Sequence, residues 1–137
     1  MRRRVLLDTG PLVASLDRSE LNHKWSVEAM QRHSAPLLTC DAVIVEAVYI
    51  LRSKNIDPKP LFELLICGAV SVVYSLQQEI EPIQQLMEQY ADTPMDLADA
   101  CLVRMSELYP ESLFLTLDSD FYTYRRNRTE AIDVIRP

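Results

Sequence analysis

Short continuous runs of apolar residues alternate along the chain with longer segments in which apolar residues recur every three or four positions. The first pattern is typical of buried strands, and the second of helices with one buried face. The runs predict strands over 4–7, 36–40, 69–74, 113–117 and 131–135. The spaced segments predict helices over 12–16, 21–33, 42–54, 58–67 and 75–90, and one from Asp96 to about Tyr109. This alternation predicts an α/β fold, with a mainly parallel sheet between helices on both faces.

The length of 137 residues suits one domain over 1–137, and a chain that is 48% apolar and 25% charged is ordinary for a globular protein. The two glycines are too few for a Gly-rich phosphate-binding loop, which excludes P-loop and dinucleotide-binding classes. Asp8 interrupts the first apolar run, so we predict no secretory leader and no membrane span. We therefore expect a cytoplasmic protein.

The apolar pattern also predicts which side chains form the core. The three cysteines are widely spaced in apolar segments, and we expect all of them to be reduced core residues: Cys40, Cys67 and Cys101. Without a C-x-x-C pair, a structural zinc site is not expected. The helices are predicted to bury Leu21, Trp25, Ala29, Leu61, Phe62, Leu64, Leu65, Ile80, Ile83, Leu86, Met87 and Tyr90.

Two aspartates begin the helix that follows Pro94. Asp96 and Asp99 are three residues apart, so they lie on one face of a helix. Asp96 suits the N-cap position and has that structural explanation available. Asp99 is embedded in apolar sequence, where a lone carboxylate is costly unless it is paired, protonated or bound to a cation. Asp99 therefore indicates a site that brings acids together.

Other acids follow predicted strands. Asp8 comes directly after the first strand, and Asp118 and Asp120 come directly after the strand over 113–117. Ligands of open α/β sheets bind at the carboxyl ends of the strands, where these acids are expected. Thr116 could add a hydroxyl at this edge. The alternative for Asp8 is a turn or capping role, shared with Thr9.

Glu46 is the one charged residue in the apolar run 43–51. A helix at the protein surface normally carries several charges on its outer face, and this helix does not. Glu46 is therefore predicted to be buried or half-buried with a functional or metal-binding role. The alternatives are an exposed position or a structural pair with an arginine.

The chemistry of these acids predicts a divalent metal site. None of the segments brings a histidine or cysteine with it, and all-oxygen ligation suits Mg²⁺ or Mn²⁺. Such a site is typical of phosphodiester hydrolysis by a metal-activated water. The net charge of −6 is weak evidence against a nucleic-acid substrate, because setting aside the six candidate acids leaves the chain neutral.

A basic and aromatic run, 121–128, follows the last acids. Arg125, Arg126 and Arg128 could hold a phosphate backbone, with Tyr122 or Tyr124 stacking on a base. The alternative is a solvated positive face without a ligand.

The acidic motifs together resemble the PIN domain, in particular the VapC-like ribonuclease toxins of bacterial type II toxin–antitoxin pairs. The matching residues are Leu6-Leu7-Asp8-Thr9, Glu46, Asp96-Leu97-Ala98-Asp99-Ala100 and Thr116-Leu117-Asp118-Ser119-Asp120-Phe121. The resemblance implies a Rossmann-like three-layer sandwich and a Mg²⁺- or Mn²⁺-dependent ribonuclease, often a homodimer silenced by a cognate antitoxin. By motif position it implies Asp8, Glu46, Asp99 and Asp118 as catalytic metal ligands. Asp96 and Asp120 are further candidates, and Thr9, Thr116, Arg125, Arg126 and Arg128 are candidates for substrate binding.

Two other functions fit the same fold. A non-catalytic PIN-fold module could bind RNA or protein, although the complete acid set argues against it. A phosphatase or receiver-like phosphotransfer domain would need a nucleophilic aspartate and a well-placed lysine. Lys24, Lys54 and Lys59 are the only lysines, and none follows a candidate strand end.

Overall fold

A computed structural model describes residues 3–33 and 35–137 and contains one five-stranded sheet and a small hairpin. Residues 1, 2 and 34 of the predicted domain lie outside the described residues. The strands are β1 (Val5–Leu7), β2 (Leu37–Thr39), β3 (Val70–Val72), β4 (Leu113–Leu115), β5 (Arg125–Arg126), β6 (Glu130–Ala131) and β7 (Val134–Ile135). The main sheet has the order β3-β2-β1-β4-β7, and all its pairs are parallel. β5 and β6 form the antiparallel hairpin.

The centre of the sheet is β1, whose three residues are all buried. Leu6 lies opposite Leu38 of β2 on one side and Phe114 of β4 on the other. A strand covered on both faces has no solvent side, so it is apolar throughout rather than alternating. This explains why short continuous apolar runs predicted these strands.

Six helices surround the sheet in the described part of the chain. They are α1 (Thr9–Leu16), α2 (His23–Arg32), α3 (Asp41–Ser53), α4 (Lys59–Ile66), α5 (Ile80–Gln89) and α6 (Leu97–Leu108). One buried core joins residues from Val5 to Ile132. The architecture is the predicted α/β sandwich with a central parallel sheet.

The order of the strands creates a switch point beside β1. The chain passes from β1 to β2 and β3 on one side, and then crosses to β4 on the other side. Connections leave β1 and β4 in opposite directions, which opens a crevice at their carboxyl ends. Asp8 follows β1, and the segment from Thr116 to Asp118 follows β4. Two of the three acids predicted at strand ends, Asp8 and Asp118, therefore lie at this crevice.

Three element predictions were wrong in extent. α1 begins at Thr9 rather than at residue 12, because Asp8 caps it and a proline in the first turn needs no hydrogen-bond acceptor. The predicted strand over 131–135 divides between the hairpin and the main sheet. The predicted helix over 75–90 begins with a separate 3₁₀ turn, Gln77–Glu79, before α5.

Several predicted core positions are exposed. Leu21 lies in the turn before α2 and is 94% exposed, and Cys67 ends α4 at the surface. Phe62 follows the buried Leu61 and therefore points about 100° away from it around the helix. The buried stripe of α5 is narrow, and it excludes the predicted Ile80 and Met87. Among the described residues no helix combines the length and apolar character needed to cross a membrane.

Candidate active site

A cavity of about 550 Å³ lies at the crevice formed by the carboxyl ends of β1 and β4. Its wall includes five of the six acids singled out in the sequence, which come from four separate segments: Asp8, Glu46, Asp96, Asp99 and Asp118. Thr9 and Gly10 contribute the first turn of α1. Gly10 packs so closely on Leu117 that an added Cβ would lie 3.3 Å from the Leu117 Cβ. The fold thus brings together acids that are up to 110 positions apart in sequence.

Asp8 is the most deeply held acid of the cavity, and 7% of it is exposed. Its Oδ1 accepts a hydrogen bond from the Thr9 backbone N–H at 2.8 Å, and its Oδ2 accepts one from the Thr116 hydroxyl at 2.7 Å. Burial raises the pKa of Asp8 to about 6. The two hydrogen bonds lower this pKa, and the charges of Asp118 and Glu46 raise it. Asp8 is thus rigidly oriented and easily protonated in the absence of a cation.

Thr116 connects Asp8 with Asp118. Its buried hydroxyl donates to Asp8 and accepts a hydrogen bond from the Asp118 backbone N–H at 2.9 Å. The Asp118 carboxylate in turn accepts the Asp120 backbone N–H at 2.8 Å, which caps the 3₁₀ turn Ser119–Tyr122. The Thr-x-Asp-x-Asp segment therefore forms a series of hydrogen bonds that holds the end of β4 against the end of β1.

Asp96 and Asp99 form a capping box at the start of α6. The Asp99 backbone N–H donates to Asp96 Oδ1 at 2.8 Å, and the Asp96 N–H donates to Asp99 Oδ2 at 3.3 Å. The Tyr124 hydroxyl donates to the same Asp99 oxygen at 3.2 Å. Burial, followed by the nearby Asp96 charge, raises the pKa of Asp99 to about 7. Asp96 therefore does cap the helix, as one interpretation held, and it also lines the cavity.

Glu46 lies on α3, half-buried and facing the acids of α6 and β1. Burial and the Asp96 charge raise the pKa of Glu46, and the neighbouring Thr9 side chain lowers it. The Thr9 Oγ1 atom is buried but makes no hydrogen bond of normal geometry within the described ranges. Glu46 is thus half-buried, as predicted, and in the described part of the chain it faces carboxylates rather than an arginine.

The profile of the PIN domain family matches residues 5–127, which is most of the chain. This chain belongs to the PIN domain family. It is also similar to a protein named Ribonuclease VapC26 from Mycobacterium tuberculosis (strain ATCC 25618 / H37Rv), with 25% identity over 124 residues. That similarity covers 89% of this chain and 92% of the relative. The resemblance inferred from the acidic motifs is confirmed, and the match includes every candidate acid.

The residues of this PIN domain suit a hard divalent cation. The side-chain oxygens of the cavity wall belong to carboxylates and one hydroxyl, the ligand types that Mg²⁺ and Mn²⁺ prefer. The raised pKa values of Asp8 and Asp99 show that the protein alone disfavours their ionised forms. The buried Thr9 hydroxyl, which makes no hydrogen bond of normal geometry in the described ranges, can serve a further ligand. Within 3–33 and 35–137, however, no three such side chains already converge as ligands. The carboxylates surround the cavity without meeting in it.

Two charged residues on the cavity rim of the PIN domain were missed by the sequence analysis. Lys54 Nζ pairs with Asp17 Oδ2 at 3.0 Å and also with Glu20, and both Lys54 and Glu20 line the cavity. Lys54 lies eight residues after Glu46, about two helical turns away at the C-cap of α3, and this spacing was a usable signal. The rim therefore links the end of α3 to the turn after α1.

The remaining candidates of the PIN domain lie away from the cavity wall. Asp120 sits behind Asp118, where burial and the Asp118 charge raise its pKa. Arg125 donates to the carbonyls of residues 122, 123 and 124, and Arg126 donates to the Pro110 carbonyl at 2.8 Å. Arg128 is exposed, next to Asn127, in a second groove. Two of the three arginines thus stabilise the β5–β6 hairpin.

The two tyrosines of the basic run differ sharply in exposure. Tyr122 is 52% exposed, whereas Tyr124 is fully buried between Tyr90 and Phe121. The prediction that Tyr124 stacks on a base was therefore wrong, because the whole ring lies in the core. Its hydroxyl instead orients Asp99, and its pKa is raised by burial and by that carboxylate.

Proposed function

We propose that this protein is a Mg²⁺- or Mn²⁺-dependent endoribonuclease that hydrolyses RNA phosphodiester bonds with a metal-activated water. The observation that carries the proposal is the convergence of acids from four segments on one cavity at the switch point of the sheet. Membership of the PIN domain family and the similarity to a protein named as a ribonuclease support it.

Asp8, Glu46, Asp99 and Asp118 would hold the cation, with Asp96 at the edge of the cavity as a further ligand. Asp120 would act through Asp118, whose carboxylate accepts its N–H. When bound, a divalent cation lowers the pKa of a water and neutralises charge on the phosphoryl oxygens. The chain itself supplies the orientation of the ligands, through Thr116 on Asp8 and through the capping box and Tyr124 on Asp99.

The protonation state of the same acids affects cation binding. With pKa values raised to about 6 and about 7, the Asp8 and Asp99 carboxyls take up protons as the pH falls through this range when no cation is present. A cation requires the ionised forms, so binding releases these protons and becomes tighter as the pH rises. The burial that raises the pKa of each acid thus makes cation loading dependent on pH.

Substrate binding would begin at the cavity mouth. We propose that the Thr9 hydroxyl contacts the RNA or its hydration shell, because it faces the acids and has no partner of normal geometry in the described part. Arg128 is the most available phosphate-binding candidate, since it is exposed. Thr116, Arg125 and Arg126 would act more indirectly, because their polar atoms already bond to the protein.

We further propose that the protein is the toxin of a toxin–antitoxin pair, controlled by a cognate antitoxin protein. An antitoxin and cellular RNA would both be met in the cytoplasm, where we place its action. A homodimer could form through the apolar outer face of α4, where Phe62 and Ile66 are 44% and 84% exposed. These two residues lie one helical turn apart on the same face.

Cleavage of a pool of structured RNA tests the proposal. Purified protein is incubated with Mn²⁺, with Mg²⁺ or with a chelator, beside Asp99→Asn and the matched control Asp92→Asn, which changes an exposed aspartate outside the cavity. We expect cation-dependent cleavage that falls on the order of 100-fold or more in Asp99→Asn and is unchanged in Asp92→Asn. Equal activity in Asp99→Asn and wild type would reject the site. RNA binding without cleavage or cation binding would favour the non-catalytic module.

A further inference from the structure

A second, smaller cavity lies near the start of α3, outside the candidate active site. Its volume is about 180 Å³, and its wall is mainly apolar, with Val45, Leu76 and Leu97 among its residues. Two cysteines, Cys40 and Cys101, also line it. They come from different elements, because Cys40 directly precedes α3 and Cys101 lies in the second turn of α6. Among the described residues, the cavity therefore joins two thiols that are 61 positions apart.

The two thiols are buried and lie at the wall of the same cavity. Cys40 is 1% exposed and Cys101 is 2% exposed, and both side chains line the same cavity wall. Cys101 raises the pKa of the Cys40 thiol, and Cys40 lowers the pKa of the Cys101 thiol, as expected of neighbouring thiols. Both are free thiols rather than a disulfide. Buried free cysteines usually serve as small apolar residues, but two neighbouring thiols at one cavity wall can also be joined by oxidation.

A polar group at the same cavity supports a chemical role. Tyr74 is 8% exposed, and its hydroxyl lies beside the Cys101 sulfur. This hydroxyl is buried and makes no hydrogen bond of normal geometry to any described residue. A buried polar atom without a partner costs about 1–3 kcal/mol, so its retention beside two thiols needs an explanation. A small polar molecule in the cavity would satisfy it.

We propose that Cys40 and Cys101 form a reversible disulfide when a hydroperoxide enters this cavity. One sulfur attacks an oxygen of the hydroperoxide and the O–O bond breaks. The leaving oxygen takes the thiol proton, so that a sulfenic acid forms together with an alcohol, or with water when the hydroperoxide is hydrogen peroxide. The second sulfur then attacks the sulfenic sulfur, so that the S–S bond forms, the S–O bond breaks and water leaves. With hydrogen peroxide, two thiols and one peroxide give one disulfide and two waters. The Tyr74 hydroxyl donates a hydrogen bond to the entering oxygen.

The position of the disulfide connects it to the candidate active site. Cys40 stands six residues before Glu46, and Cys101 stands two residues after Asp99. An S–S bond of about 2.05 Å is much shorter than the separation of any two sulfur atoms that are not bonded, so its formation draws the beginnings of α3 and α6 together. A catalytic site tolerates displacements of roughly 0.5 Å. Oxidation therefore disturbs the acids that these helices carry. This consequence rests on the proposed nuclease function, whereas formation of the disulfide does not.

Thiol analysis of the full chain tests the disulfide directly. The exposed Cys67 is replaced by serine, the protein is treated with hydrogen peroxide, and all remaining thiols are alkylated after denaturation. We expect two fewer alkyl groups than in untreated protein, a Cys40–Cys101 peptide in a non-reducing digest, and full recovery with a reductant. Alkylation of both cysteines after peroxide treatment, or sulfonic acids without the linked peptide, would overturn the proposal.

Two variants serve as controls. Cys40→Ser suits an N-cap position, where Cys40 makes no side-chain capping bond, and Cys101→Ala suits a helix interior. Neither should form the linked peptide, and Cys40→Ser should make RNA cleavage insensitive to peroxide. In the Cys67→Ser protein, full oxidation should slow cleavage on the order of 100-fold. Unchanged cleavage by fully oxidised protein would overturn the coupling, whereas absence of cleavage by reduced protein would reject only the nuclease function.

Discussion

Replacing Asp99 by asparagine should stabilise the cation-free protein at neutral and alkaline pH. Asp99 is 7% exposed, and burial together with the Asp96 charge raises its pKa from 3.8 to about 7. The folded state therefore opposes ionisation of this carboxyl, whereas the unfolded chain does not. An asparagine oxygen can accept the same hydrogen bonds from the Asp96 N–H and the Tyr124 hydroxyl, but it carries no charge.

The pKa shift sets the size and direction of the effect. Because the folded-state pKa is raised, the stability that protonated Asp99 provides is complete below about pH 4 and is lost as the pH rises to about 7. A shift of this size corresponds to roughly 4 kcal/mol, an upper value since the unfolded chain retains some structure. The advantage of Asp99→Asn should therefore grow between pH 4 and 7 and then stay constant.

Urea denaturation of both proteins between pH 4.5 and 8.5 with chelator measures this difference. Asp92→Asn is the control, and its free energy of unfolding should follow that of wild type at every pH. Excess Mn²⁺ should stabilise wild type and leave Asp99→Asn nearly unchanged, because only a folded site with its ligands binds the ion. A difference between Asp99→Asn and wild type that does not vary with pH would refute the assignment of Asp99 as a buried, protonated carboxyl.

Two further substitutions test how the acids are held. Thr116→Val removes the hydroxyl that donates to Asp8 and accepts from the Asp118 N–H, so it should destabilise the protein by about 1–3 kcal/mol and raise the pKa of Asp8 further. Thr116→Ser keeps a hydroxyl and should restore both the stability and the pKa. Urea denaturation measures the stability, and carboxyl NMR titration measures the pKa. Tyr124→Phe removes one hydrogen bond to Asp99 without emptying the core, so it should cost about 1 kcal/mol and move the Asp99 titration to higher pH. An unchanged Asp99 titration in Tyr124→Phe would exclude that hydrogen bond.

The sequence predicted the sheet well because its signal is local. Strands buried on both faces must be apolar throughout, and β1 and β4 lie inside runs that were recognised from this feature alone. The acids at strand ends followed from the same argument, because parallel strands bring their carboxyl ends to one edge of the sheet. Asp8 and Asp118 lie at the cavity for this reason.

The predictions were wrong where tertiary contacts determine whether a side chain is buried or which partner it has. Nothing in the basic run shows that Tyr124 is buried, because its partner Asp99 is 25 residues away. The rim pair of Lys54 and Asp17 joins residues 37 positions apart, so sequence spacing alone could place Lys54 but not its partner. Leu21 was predicted to be buried on the basis of its apolar character, although the turn that holds it leaves it exposed.

Calorimetric titration of Mn²⁺ into purified protein at pH 8 tests most directly whether the cavity acids form a metal site. Wild type, Asp8→Asn and Asp99→Asn are compared with Asp57→Asn, which changes an exposed aspartate outside the cavity. We predict saturable binding to wild type and Asp57→Asn, a loss on the order of 100-fold in affinity for Asp8→Asn and Asp99→Asn, and weaker binding to wild type at pH 6. Equal Mn²⁺ affinity in all four proteins would contradict the assignment of this cavity as the metal site.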